Sequence, residues 1–99
     1  MSEDQEDVRN FDGLRDFIGR ALKDVRENKK EGRKDLSECL RLVHGLREAT
    51  EQWILRVEED GKFHLLFDEF KILCQALEVS AKTVLGRAWE LKKASAVKR

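Results

Sequence analysis

The sequence predicts an all-α protein, a compact bundle of four to five helices of which one is short. Three observations predict it. Proline is absent from the 99 residues, where about five would be usual, so no helix is interrupted. Apolar residues recur at three- and four-residue steps in successive segments, the mark of helices that turn one face to a core. No segment alternates apolar and polar residues with period two over a useful length, which leaves no strand to build a sheet.

Length and composition set the scale. A chain of 99 residues fits one domain and buries about two thirds of its unfolded surface. Twenty basic residues cancel twenty acidic ones, so no global field draws the protein toward nucleic acid or anionic lipid. The opening MSEDQEDVRN is acidic and lacks an apolar core, unlike a secretory signal. No run approaches the roughly 18 apolar residues that span a bilayer, and the expectation is an intracellular protein with no membrane partner. Cys39 and Cys74 each fall on an apolar stripe, and without an export signal both are expected as reduced thiols. Residues 1–7 read as an acidic tail, 8–94 as the helical domain and 95–99 as a fraying end.

The first helix is expected over 8–28, where Phe11, Leu14, Ile18, Ala21, Leu22 and Val25 share a face. Acidic residues precede it, and Lys29 and Lys30 follow, so charge of the right sign meets each end of the helix dipole. After the loop NKKEGRK, Asp35 with Glu38 resembles a capping box, and Leu36, Cys39, Leu40, Val43 and Leu46 predict a second helix to about Glu48. Thr50 caps a short third helix carrying Trp53, Ile54 and Val57, which Asp60 and Gly61 end.

A fourth helix is expected to begin after Asp60. Phe63, Leu66, Phe67, Phe70, Leu73, Cys74 and Leu77 form one wide arc, whereas Leu65 and Ile72 fall together on nearly the opposite side. Such a helix is either the central member of the bundle or the owner of a partner groove lined by Leu65 and Ile72. Ser80 caps the last helix, whose stripe is Ala81, Val84, Leu85, Ala88 and Leu91, with Trp89 at its margin.

Catalytic and metal chemistry find little support. His44 and His64 lie on different helices, and neither has a cysteine or another histidine three or four residues away to stack as a second such ligand on one face. There is no glycine elbow around a serine and no glycine-rich phosphate cradle, so neither an enzyme nor a cofactor is expected. Lys29, Lys30, Arg33 and Lys34 form the densest basic cluster. It can grip phosphate or an acidic peptide, or serve as a solvated loop that complements a helix end. Trp53 and Trp89 are expected as core closures at helix crossings, with ligand anchors as the alternative.

The order of pieces, a helix, a basic loop, a helix, a short threonine-capped helix and two final helices with a tryptophan, resembles the N-terminal domain of transcription elongation factor S-II and its relatives, including the integrase-binding domain of lens-epithelium-derived growth factor. The similarity covers 14–94, most legibly in DLSECLRLVHGL, ATEQWIL and EVSAKTVLGRAWELKK, where Val79, Leu85 and Trp89 are similar to the family's valine, leucine and tryptophan series. The family's threonine and glycine signature at the start of the fourth helix is reduced to residues 58–61, and the spacing from Gly61 to Trp89 is longer. The resemblance implies a nonenzymatic nuclear scaffold of transcription and chromatin complexes that binds short disordered peptides at interhelical loops. By position those loops are 28–34 and 75–79, the second containing Leu77.

The leading expectation is therefore a module that docks an acidic and aromatic or aliphatic linear peptide, with lysines steering and apolar anchors holding. A homodimer in which Leu65 and Ile72, with Leu42, pair across a two-fold axis is the second. A nucleic-acid binder using 29–34 is the weakest of the three, because net charge is zero.

Overall fold

The computed structural model describes residues 9–60 and 63–97, and these residues contain helices and no strand. After a helical stretch at 9–13, the elements are α1 (Arg15–Asn28), α2 (Arg33–Leu42), α3 (Glu51–Glu59), α4 (Phe67–Ala76) and α5 (Ala81–Val97). The Cα radius of gyration, 13.1 Å, is that of a compact domain of this size. Val97 is the last residue of α5. The acidic tail 1–7 and the last two residues lie outside the described residues.

The expected first helix bends at Leu14 (φ −115°, ψ 14°). The bend leaves Phe11 fully buried, with its ring 5.4 Å from Phe67 and 5.0 Å from Phe70. Below it Leu14, Ile18, Ala21 and Leu22 are buried as the spacing requires. Gly19 serves a different purpose: a methyl group there would overlap the Val57 carbonyl oxygen, so α1 and α3 meet backbone to backbone at this point.

Two caps are those the sequence predicts. The Trp53 amide donates to Thr50 Oγ1 at 3.1 Å, and the Thr83 amide to Ser80 Oγ at 3.1 Å. The Asp35 box is not formed. Gly32 is the N-cap of α2, which places Asp35 inside the first turn, where its charge still complements the helix dipole. The same helix stops at Leu42, well short of Glu48, because Gly45 takes the left-handed conformation (φ 71°) and the Leu46 amide turns back to Leu40 O at 2.9 Å. Val43, expected in the core, is therefore 73% exposed.

The fourth helix also starts later than its apolar run. Leu66 is its N-cap, and its amide donates to Glu69 Oε1 at 3.0 Å. Leu65 thus precedes the helix and cannot share a helical face with Ile72. The packing has no central rod. α1 packs on α3, α3 on α2, α2 on α4, α4 on α5 and α5 on α1, closing a ring around one core.

Candidate functional site

The position of the basic loop follows from the register of α1 and α5. Arg87 Nη2 lies 3.0 Å from Asp24 Oδ2, and Lys92 Nζ donates to Gly13 O at 3.4 Å, so the two helices run antiparallel. From the Arg87–Asp24 pair, α5 extends about 9 Å back to Ala81 and α1 about 6 Å forward to Asn28, at 1.5 Å per residue. The loops 28–34 and 75–79 consequently lie at the same end of the bundle. Toward that end of the α1–α5 contact, Asp24, Val25, Glu27, Asn28 and Arg87 surround an open hollow of about 590 Å³.

Both loops close their helices in the same way. At the end of α1 the Lys30 amide donates to Glu27 O (2.9 Å) and the Glu31 amide to Arg26 O (3.1 Å), with Lys30 at φ 58°. At the end of α4 the Glu78 amide donates to Gln75 O (3.0 Å) and the Val79 amide to Cys74 O (3.0 Å), with Glu78 at φ 60°. Each is a Schellman turn in which a charged residue stands where glycine is favoured. The turns hold one lysine and one glutamate out toward solvent, both exposed.

The four sequence-predicted cations divide. Lys29, Lys30 and Lys34 are exposed, whereas Arg33 is the first residue of α2 and turns inward. Its Nε donates to Glu58 Oε1 at 3.0 Å, and its Nη2 lies 3.6 Å from Glu59 Oε2. Glu58 is buried and also accepts from Arg26 Nε at 2.6 Å and Arg26 Nη2 at 3.1 Å. The remaining arm of Arg26 donates from Nη1 to Glu31 O at 2.8 Å. One buried carboxylate thus ties the end of α1, the loop, the start of α2 and the end of α3. The Glu58 hydrogen bonds hold the Arg26 guanidinium even more firmly protonated than usual. At the edge of the cluster Lys23 Nζ donates to Glu59 Oε2 at 2.6 Å; this holds Glu59 below the ordinary carboxylate range and raises Lys23.

The apolar part of the expected site is not a surface. Leu65 is 5% exposed and Leu77 1%, and Ile72 is half-buried against the core. The cause for Leu65 is its place in the stretch before α4, where its carbonyl accepts from Arg15 Nη1 at 2.8 Å. Leu65 also borders a cavity of about 240 Å³ between α1 and α3, together with Phe11, Phe63 and the Gly19–Val57 crossing. The exposed large apolar residues are instead Leu42 (79%), Val43, Leu66 and Trp89 (51%).

Trp53 is half-buried, its ring 5.9 Å from Phe63 and edge-on to it, as a core closure should be. Trp89 departs from that expectation: it is 51% exposed on α5, with Lys92 Nζ 6.0 Å from its ring. Cys39 and Cys74 are not joined in a disulfide. Among the described residues no group of three or more His, Cys, Asp or Glu side chains is placed to hold a metal ion, and no helix is long and apolar enough to cross a membrane. Compared with protein-family models, curated proteins and solved structures, the chain matches none.

Proposed function

We propose that this chain is a nonenzymatic docking module that binds a short, disordered, acidic peptide with an aromatic or aliphatic anchor at the loop end of its bundle. The observation that supports it most is that loops 28–34 and 75–79 lie at the same end of the bundle, with Lys29, Lys30 and Lys34 exposed there. A loop braced by a buried ion cluster loses little entropy when a partner settles on it, which favours affinity. Lysines at the rim supply steering. Two-dimensional NMR with a pool of acidic dodecapeptides carrying Phe or Leu tests the reading. Saturable shifts at the amides of 29–33 and 76–80 support it, and a spectrum unmoved there at millimolar peptide sinks it.

On the resemblance to the elongation-factor domain, the peptide belongs to a transcription or chromatin complex in the nucleus. A second reading, homodimerisation, is favoured by one observation, the neighbouring exposure of Leu42 and Val43 at the end of α2. Sedimentation at two protein concentrations separates the two, since only a dimer shifts with dilution.

A further inference from the structure

Most hydroxyl groups of the described residues serve the fold. Ser37 is 1% exposed and donates to Lys34 O at 3.1 Å. Thr50 and Ser80 cap α3 and α5, and Thr83 Oγ1 lies 2.9 Å from Ser80 Oγ. Ser95 differs, because it is exposed and stands inside the last turn of α5, where it starts no helix. Residues 92–96 are all exposed and none of them joins the core, which α5 last touches at Leu91. Helix in such a stretch rests on propagation alone, close to neutral per residue in water, so it opens without uncovering apolar surface. The surrounding sequence is LKKASAVKR, with Lys92 and Lys93 three and two residues before the hydroxyl, an alanine on either side of it, and no carboxylate from 91 to 99. Glu90, the nearest carboxylate in sequence, lies 3.7 Å from Arg87 Nη1. Of the described hydroxyls, only that of Ser95 follows two consecutive cations at this distance.

We propose that Ser95 is a phosphorylation site, the substrate of an ATP-dependent serine kinase whose peptide groove is acidic, and that the phosphate acts as a charge switch on the end of α5. Kinases choose substrates largely by charge pattern, and two lysines before the hydroxyl meet carboxylates of such a groove. The alanines leave the backbone beside Ser95 unobstructed, and the weakly held turn can take the extended form that a groove requires. In the transfer, Ser95 Oγ attacks the γ-phosphorus of ATP, the bond from that phosphorus to the departing ADP oxygen breaks, and the hydroxyl proton passes to the carboxylate base of the kinase. The product carries a charge of about −1.5 to −2 at the end of α5, where carbonyls without helical partners already make the terminus negative. The turn that opens for the kinase therefore stays open. The site is separate from the loop end, since Ser95 lies about 21 Å along α5 from Ala81.

The test incubates the full chain with MgATP and the catalytic subunit of the cyclic-AMP-dependent kinase, an enzyme of this groove chemistry, and locates the phosphate by tandem mass spectrometry. The expected result is one phosphate, on Ser95, and none on Ser95→Ala. Phosphorylation of the folded chain should run within about 10-fold of that of a free peptide of residues 88–99, because opening the turn exposes no core. The pair Lys92→Gln/Lys93→Gln, at exposed positions that leave the fold intact, should lower kcat/KM by at least ~10-fold. In the phosphorylated chain the 93–96 amides should lose their helical NMR shifts, while the melting temperature stays within a few degrees of the unmodified protein. Absence of phosphate from Ser95, a rate far below that of the free peptide, equal phosphorylation of Thr50 or Ser80, or a lysine-free variant modified as fast as wild type overturns the site. A last turn as helical after phosphorylation as before overturns the switch.

Discussion

Arg26 and Glu58 form a two-point ion pair across the α1–α3 contact, with side chains 7% and 2% exposed and distances of 2.6 and 3.1 Å. Arg33 reaches the same carboxylate. Removing one member of such a cluster strands its partners without water. Glu58→Ala should therefore lose about 3–5 kcal/mol of stability, and urea unfolding measures it. Replacing both Arg26 and Glu58 with apolar residues of similar volume should recover most of that loss, because the attraction and the desolvation penalty leave together. If Glu58→Ala unfolds like wild type, the cluster does not brace the loop.

Two glycines should respond oppositely to alanine. Gly19→Ala drives a methyl group into the Val57 carbonyl at a backbone contact that cannot yield cheaply, at a loss of about 1–3 kcal/mol. Gly86→Ala meets open space and should gain up to about 1 kcal/mol. Thermal melts of the two variants decide it by sign alone.

Lys30 and Glu78 hold left-handed backbone at φ 58° and 60°. Glycine relieves that conformation but loosens the unfolded chain, so Lys30→Gly and Glu78→Gly should each stabilise by a few tenths to about 1 kcal/mol. Lys30→Gly should at the same time weaken acidic-peptide binding at the loop end. A variant that loses stability shows that the side chain, rather than the turn, sets the balance there.

Glu69 carries a signature in pH. Burial pushes its carboxyl above the ordinary value, the neighbouring Glu48 carboxyl adds to the rise, and the Leu66 amide opposes it. With the folded value above the unfolded one, the stability linked to Glu69 is complete below the ordinary carboxylate range and is lost as pH rises through the folded value. Glu69→Gln keeps an oxygen for the Leu66 amide and removes the charge. It should be more stable than wild type near pH 7, by about 0.5 kcal/mol, and no more stable near pH 3. An equal difference at both values would show that the carboxyl does not titrate in this way.

How much of this was legible in the sequence depends on how local the cause is. The caps at Thr50 and Ser80 and the stripe of α5 were readable because spacing of three and four decides them. The end of α2 was not: Leu46 continues the apolar pattern, yet Gly45 turns the chain three residues after Leu42, and one backbone angle outweighs a stripe. Leu65 misled for a related reason, since a helical wheel assigns a face to a residue that stands ahead of the helix. Arg33 and Glu58 are 25 residues apart, and no sequence window pairs them, so the basic cluster reads as four loop cations when it is three. Trp89 was misplaced because a tryptophan at a stripe's margin goes to the core or to solvent according to whether a neighbouring helix reaches it.

The central claim is that the loop end docks acidic peptides through its exposed lysines, and fluorescence anisotropy with an acidic, phenylalanine-containing dodecapeptide addresses it most directly. Lys30→Glu combined with Lys34→Glu should weaken binding by ~10-fold or more at low salt, lower the association rate, and leave the melting temperature within a few degrees of wild type. Equal affinity for wild type and the reversed pair would contradict the claim.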